Sequence, residues 1–375
     1  MADALKARMT LFKYLHADAA PSFTSFTIDG TTDECGIAFQ VEKAMTITQV
    51  GIRINTITGT PGELTISLNS LTGTDGFPSA TILGGVSPAS VAIASPSATF
   101  TAGQIYWATL DNAYAATAGE MMAIKADPTA GTWDGSNSIA VTVAVAGFGA
   151  RQGTPYAVQA PAGVYARVAG YPVYGIRSSS DTQGCPMETL NATTMDSATN
   201  PNQAGFAFTL PSGWGDTYKL RGFFMLMSKQ AAANQTFDVV LYSSDGITEL
   251  QTMTYDSEYY GTGTVNSTYR TCEFFFDETT LSTLSHGTKY YGFIRPNTAA
   301  GDITFNDFSV RQASDMQAFP LGESCFFATK VDTATAPSET TTRRPYVGLI
   351  FDDITEPSGG AGGMIVHPGM NGRMV

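Results

Sequence analysis

The feature that most constrains this chain is that it repeats itself. Cys35-Gly-Ile-Ala-Phe-Gln-Val41 aligns with Ala204-Gly-Phe-Ala-Phe-Thr-Leu210 at an offset of 169, placing Gly36 on Gly205 and Phe39 on Phe208. Leu64–Leu68 followed by Asp75-Gly76 aligns with Phe237–Leu241 followed by Asp245-Gly246, the Asp-Gly pairs lying 170 apart. Gly119–Ile124 meets Gly287–Phe293 at 168, and Pro172-Val-Tyr-Gly-Ile176 meets Pro345-Tyr-Val-Gly-Leu349 at 173. Four matches in one order, with offsets drifting by a few residues, point to a duplicated domain with small loop insertions.

Within each copy, apolar residues recur at every second position in short runs, as in Leu64–Leu68, Ile105–Leu110, Phe223–Met227 and Phe237–Tyr242. That period belongs to half-buried strands. Asp-Gly at 75, 134 and 245 and Thr-Gly at 59 and 73 supply tight turns between the runs. With no alternation of strand and helix, the pattern predicts an all-β chain of two tandem jelly-roll-like β-sandwich domains. The expected divisions are an N-terminal arm at 1–22, a first sandwich at 23–180, a second at 181–356, and a Gly-rich linker and apolar tail at 357–375.

The two ends differ from the body. Leu5, Met9, Phe12 and Leu15 fall at helical spacing, which predicts a short amphipathic helix in the arm, packed on its own domain or docked on another subunit. Pro357-Ser-Gly-Gly-Ala-Gly-Gly363 is a flexible linker leading to Met364, Ile365 and Val366, which could add a strand to an exposed sheet edge. Leu5, Met9, Phe12, Met364, Ile365 and Val366 are therefore the candidate partner-binding residues. The net charge is −13, and residues 1–22 and 357–375 each carry +1; subtracting both leaves −15 for the body. A body of that sign repels phosphate backbones, which argues against nucleic acid as a partner. No run reaches the 18 to 20 apolar residues of a membrane span. The arm also lacks the apolar core of a secretory signal, so a soluble protein made in the cytoplasm is expected.

Residues with chemical potential are sparse. His16, His286 and His367 lie in different regions, and Cys35, Cys185, Cys272 and Cys325 form no CxxC pair. Zinc-site spacing is therefore missing, and the cysteines read as buried free thiols. GxSxG, GxxxxGK[ST] and HExxH signatures are missing too. The expectation is a protein with no catalytic residues, metal or cofactor. One loop has binding character: Tyr255, Tyr259, Tyr260 and Tyr269 stand among carboxylate, amide and hydroxyl side chains, the mixture that stacks on and hydrogen-bonds to sugars. The alternative for the same residues is strand edge and sandwich core.

Several stretches resemble uncharacterised virion-associated proteins of tailed bacteriophages. These are Thr58-Gly-Thr-Pro-Gly62, Gly84–Ser90, Thr109-Leu-Asp-Asn-Ala-Tyr114, Thr132–Asn137, Phe276–Leu281, Thr342-Arg-Arg-Pro-Tyr346 and Phe351–Pro357. The resemblance covers both repeats and implies a location on the virion surface, as head decoration, fibre or tail accessory protein, after synthesis in the host cytoplasm. It implies the major capsid or tail protein of the particle as partner and transfers no catalytic residue. Self-association and a host glycan are the other partners in view, the latter making the chain an adhesin.

Overall fold

The computed structural model describes residues 8–10, 17–41, 44–73, 75–83, 90–94, 102–148, 156–179, 182–185, 189–195, 202–210, 217–229, 236–256, 266–297, 303–309 and 325–355. Among them the chain is all-β, with antiparallel sheets and single-turn 3-10 segments at Pro161–Gly163 and Glu278–Thr280. The first strands are β1 Arg8–Thr10, β2 Ala17–Ile28, β3 Glu34–Gln40, β4 Met45–Thr58, β5 Glu63–Leu71, β6 Pro78–Ile82 and β7 Ser90–Ala94. Next come β8 Gln104–Ala116, β9 Met121–Ala130, β10 Ser138–Phe148, β11 Tyr156–Ala160, β12 Ala166–Val168, β13 Tyr171–Pro172, β14 Tyr174–Arg177 and β15 Thr182–Cys185. They are followed by β16 Thr189–Met195, β17 Gln203–Thr209, β18 Thr217–Lys229, β19 Thr236–Tyr242, β20 Glu249–Asp256, β21 Asn266–Phe275 and β22 Thr283–Ser285. The last are β23 Lys289–Pro296, β24 Ile303–Ser309, β25 Cys325–Lys330, β26 Ser338–Thr340, β27 Arg343–Pro345 and β28 Val347–Thr355.

Backbone proximity separates two compact units. One takes the described residues from 21 to 189, and the other takes 190–309 and 325–355 together with 8–10 and 17–20. In the first unit, one sheet runs β12-β11-β3-β9-β5-β6, with β7 also on β5. The other is centred on β4, which carries β8 on one side and both β14 and β10 on the other, since Gln49 pairs with Thr109 and with Arg177. Strands β2 and β13 lie on β10, and β15 lies on β14.

In the second unit, one sheet runs β20-β19-β23-β17-β25-β26. The other is centred on β18, which pairs with β21, β22, β28 and β24; β16 and β27 lie on β24, and β1 lies on β28. Matching registers recur between the units. Cys35 faces Ala126 and Ala204 faces Ile294. Gly36 faces Val158 and Gly205 faces Ala328, while Ile66 faces Ala126 and Val239 faces Ile294.

Each unit is a sandwich because alternate residues of its two sheets face one core. In the first, Phe39 of β3 stacks on Tyr174 of β14 with ring centroids 4.9 Å apart, among Ile37, Ile52, Ile66, Leu68 and Val141. In the second, Phe206 of β17 meets Phe223 of β18 edge-on at 5.2 Å, with Phe208, Phe237, Phe274 and Leu349 around them. Fully burying each of these large side chains contributes about 1.5–3 kcal/mol. Asp75-Gly76 and Asp245-Gly246 form turns in which the glycines take φ of 68° and 66°, a left-handed conformation that costs glycine little.

Two expectations change. The spacing of the arm predicts a helix, but residues 8–10 form β1; Leu5, Phe12 and Leu15 lie outside the described residues. A helix of fewer than about 12 residues is marginal by itself. The edge of β28 instead offers unpaired backbone groups that a strand satisfies directly. The division expected at 180/181 also shifts, because β15 lies beyond it yet pairs with β14 of the first unit.

Candidate functional site

The concentration of polar chemistry lies on the face of the β17 sheet turned away from the core. Alternation along β19 sends Val239 and Leu241 into the core and leaves Asp238, Val240 and Tyr242 on this outer face. Cross-strand pairing sets Arg295, Phe293 and Tyr291 of β23 opposite those three. Val240, Tyr242, Tyr291 and Phe293 form a buried patch with Ala207 and Ala328.

Two loops fold over it. The turn after β19 is held by Asp245, whose carboxylate accepts from Ser243 Oγ, Ile247 N and both Thr248 N and Oγ1. The loop after β25 is shaped by Asp332, which accepts from Ala334 N and Thr335 N at 2.8 and 2.6 Å. Lys330 ties the loops together: its Nζ lies 3.9 Å over the Tyr242 ring and donates to Gly246 O at 2.6 Å and Thr333 O at 3.1 Å. Burial lowers the Lys330 pKa against the opposing pull of Glu249 and Asp332.

Arg295 is the hub. Its guanidinium donates to Asp238 Oδ2 from Nη2 at 2.9 Å and from Nε at 3.2 Å, and from Nη1 to Glu249 Oε1 at 2.5 Å and the Tyr242 hydroxyl at 3.3 Å. Burial pushes the Asp238 carboxyl up, but donors from Asn297, Thr254 and Arg295 outweigh it and hold the pKa below the ordinary range. Glu249 is shifted down in the same way, burial being outweighed by Arg295 and Thr252. Tyr242 donates to Gln203 Oε1 at 3.0 Å, while Gln203 Nε2 is buried without an acceptor among the described residues. Close by, Glu339 accepts from Lys289 Nζ and from the Tyr291 hydroxyl.

Chemically this network is closed. Acid–base catalysis of glycoside hydrolysis needs one carboxyl kept protonated beside an ionised one. Here Asp238 and Glu249 share one guanidinium, and both are held ionised. The arrangement fixes loops to a sheet.

The corresponding face of the β3 sheet has a smaller network. Lys125 Nζ bridges Glu34 and Asp127, each at 3.1 Å, and Tyr165 donates to Glu34. The Tyr156 hydroxyl donates to Gly76 O, with the Arg167 guanidinium 4.3 Å over the Tyr156 ring. In both units a side chain of the strand after the β10 or β24 position therefore bonds the glycine carbonyl of the Asp-Gly turn.

The sequence-based candidates fare unequally. Tyr255 is half-buried, stacked on Phe237 at 6.0 Å and edge-on to Phe274 at 5.1 Å. Its hydroxyl accepts from Phe275 N at 2.6 Å and donates to Phe275 O at 2.7 Å, so its ring faces and its hydroxyl are engaged within its own unit. Tyr259 and Tyr260 lie outside the described residues, and of Tyr269 only the backbone, in β21, is described. Met9 sits in β1 opposite Leu349, whereas Met364, Ile365 and Val366 lie outside the described residues. Cys35, Cys272 and Cys325 are buried; burial, then the Glu34 charge, pushes Cys35 up to about 12, and Cys325 is likewise raised by burial.

The sequence patterns above do not single out Arg295 or Lys330. The signal was present: each is a cation ending an otherwise apolar strand, Tyr290–Ile294 and Cys325–Thr329. Among the described residues, no group of three His, Cys, Asp or Glu is placed to hold a metal, and no helix is long and apolar enough to cross a membrane. No protein-family model matches the chain, and no curated protein matches it significantly.

Proposed function

We propose that this chain is a non-enzymatic structural protein of a bacteriophage particle surface, a capsid decoration or similar accessory protein attached through its termini. The observation that carries this reading is the use made of the N-terminal segment: β1 supplies an edge strand to a sheet far away in sequence, the mode by which an extended segment attaches to a neighbour. The resemblance of both repeats to tailed-phage virion proteins supplies the particle and its major capsid or tail protein as partner. The closed networks around Arg295 and Lys125 fit a scaffold whose charged groups stabilise the fold.

Two finer points of architecture belong to the same reading. The units are tandem copies of one ancestral domain, supported by the shared registers and by offsets of 168 to 173. Their topology is of jelly-roll type, supported by a chain that passes between sheets at most connections between its long strands.

The test is co-sedimentation of the purified full-length chain with phage particles lacking it, followed by imaging at side-chain resolution. Saturable binding at a fixed ratio to the shell or tail subunit is expected. Absence of particle binding together with specific retention on a glycan array would replace this reading with the alternative, a carbohydrate-binding adhesin.

A further inference from the structure

The two units share a correspondence at one sheet edge. β15 lies antiparallel on β14 with Gly184 opposite Gly175, Gln183 opposite Ile176 and Thr182 opposite Arg177. β1 lies antiparallel on β28 with Thr10 opposite Gly348, Met9 opposite Leu349 and Arg8 opposite Ile350. Gly175, Ile176 and Arg177 precede Gly348, Leu349 and Ile350 by 173 residues, so the same three pairs are made in the same direction.

Chain order gives the edge strands one identity. β15 directly precedes β16, which lies on β24; β1 directly precedes β2, which lies on β10. Each is thus the opening strand of its own copy, yet each completes the sheet of the other copy. For β15 this is fixed covalently, since only residues 178–181 separate it from β14. For β1 the covalent order imposes no such choice. An edge recognises a strand through its backbone groups and register, and every molecule of this protein carries both the β28 edge and the β1 strand.

We propose that β1 is a donor strand exchanged between copies, the second unit of one molecule taking its edge strand from the next molecule, head to tail. The proposal rests on the duplication reading above. Charge complementarity is consistent with a copy of this chain as the occupant: residues 1–22 carry a net +1, including Lys6, Arg8 and Lys13, and the body of every copy carries −15. A cationic donor is drawn to an acidic acceptor molecule. At the local concentration reached on an assembled surface, a neighbour's strand competes with the chain's own by mass action. The contact is heterologous, so it closes into a ring or continues as a filament according to the rotation between copies.

The test uses full-length variants. Directly opposed strand residues lie within disulfide reach; all variants carry Cys185→Ser and Cys272→Ser, and the buried, high-pKa thiols of Cys35 and Cys325 compete poorly for oxidation. Chains bearing Arg8→Cys are mixed with chains bearing Ile350→Cys and oxidised. The expected product is a covalent heterodimer joined between positions 8 and 350, at least tenfold above the dimer from either variant alone. The double variant Arg8→Cys with Ile350→Cys is expected to give a multimer ladder. Internally cross-linked monomer from the double variant at every concentration, with no heterodimer from the mixture, overturns the exchange. Arg177→Cys with Thr182→Cys separates the two readings, because it cross-links within one chain whenever β15 lies on β14 in the register that the duplication reading matches to β1 on β28. Its failure sinks the duplication reading, whereas its success without heterodimer sinks the exchange alone. Sedimentation of the unsubstituted chain gives a variant-free check: concentration-dependent association, lost on deletion of residues 1–16, is expected, and a monomer at all concentrations overturns the proposal.

Discussion

β14 and β28 acquire the same outer neighbour in the same register, but by different routes. β15 reaches β14 through residues 178–181, a short hairpin, whereas β1 reaches β28 from the opposite end of the chain. Closing a loop costs more entropy as it lengthens, so the first pairing forms locally and the second depends on an already folded sheet. The comparison teaches that the edge geometry, repeated in both units, selects the strand, and that covalent proximity is dispensable.

The strongest way to break this comparison is in the core beneath the two edges. Ile176 and Leu349 are both fully buried and hold matching positions. Ile176→Ala and Leu349→Ala should each cost about 2–5 kcal/mol in urea unfolding. A loss under about 1 kcal/mol at only one of them would show that the shared register does not carry a shared core role.

The glycines Gly36 and Gly205 sharpen it. A Cβ on Gly205 would sit 1.9 Å from Gly292 O, a backbone atom, whereas on Gly36 it would sit 2.6 Å from Pro78 Cγ, a side-chain atom. Gly205→Ala should cost about 3 kcal/mol and Gly36→Ala about 1–2 kcal/mol, because a side chain yields more readily than a strand. Equal losses on thermal melting would contradict this difference between the faces.

The outer-face networks give the next smaller effect. Arg295→Met leaves Asp238, whose side chain is 11% exposed, without its cation, and should cost about 2 kcal/mol at pH 7. Lys125→Met should cost less, since Glu34 and Asp127 are 22% and 31% exposed. Asp238 and Glu249 have folded pKa values below their unfolded ones, so their stabilisation is full above the unfolded values and fades as pH falls through the folded ones. The deficit of Arg295→Met should therefore shrink below about pH 4, where unfolded carboxyls protonate. A deficit constant from pH 7 to pH 3 would assign it to lost packing instead.

The smallest effect belongs to the exchanged strand. Deleting residues 1–16 removes three residue pairs and should lower the stability of the dilute chain by about 1 kcal/mol while leaving both sandwiches folded. Circular dichroism and urea unfolding measure both. Loss of the folded second unit would make β1 part of its minimal core.

Much of this fold is legible in the sequence. The period-two runs mark the strands, the Asp-Gly pairs at 75 and 245 mark turns, and the matches of Gly36 with Gly205 and Ile176 with Leu349 mark registers that recur. Each depends on local steric preference or on which side of a pleat must be apolar, and both are written in residue order. Tertiary structure decided the rest. The Leu5, Met9 and Phe12 spacing is helical, but Arg8–Thr10 became a strand because β28 left an unpaired edge. For Tyr255 the sequence favours strand edge or core over a sugar platform but names no partner; Phe237, Phe274 and the Phe275 backbone are supplied by the fold. Lys330 and Arg295 end apolar strands with nothing in the sequence to name Gly246 O, Asp238 or Glu249 as partners. Residue order encodes the period and the face of a strand, whereas unpaired backbone groups and buried charges find partners only where the folded sheets leave them.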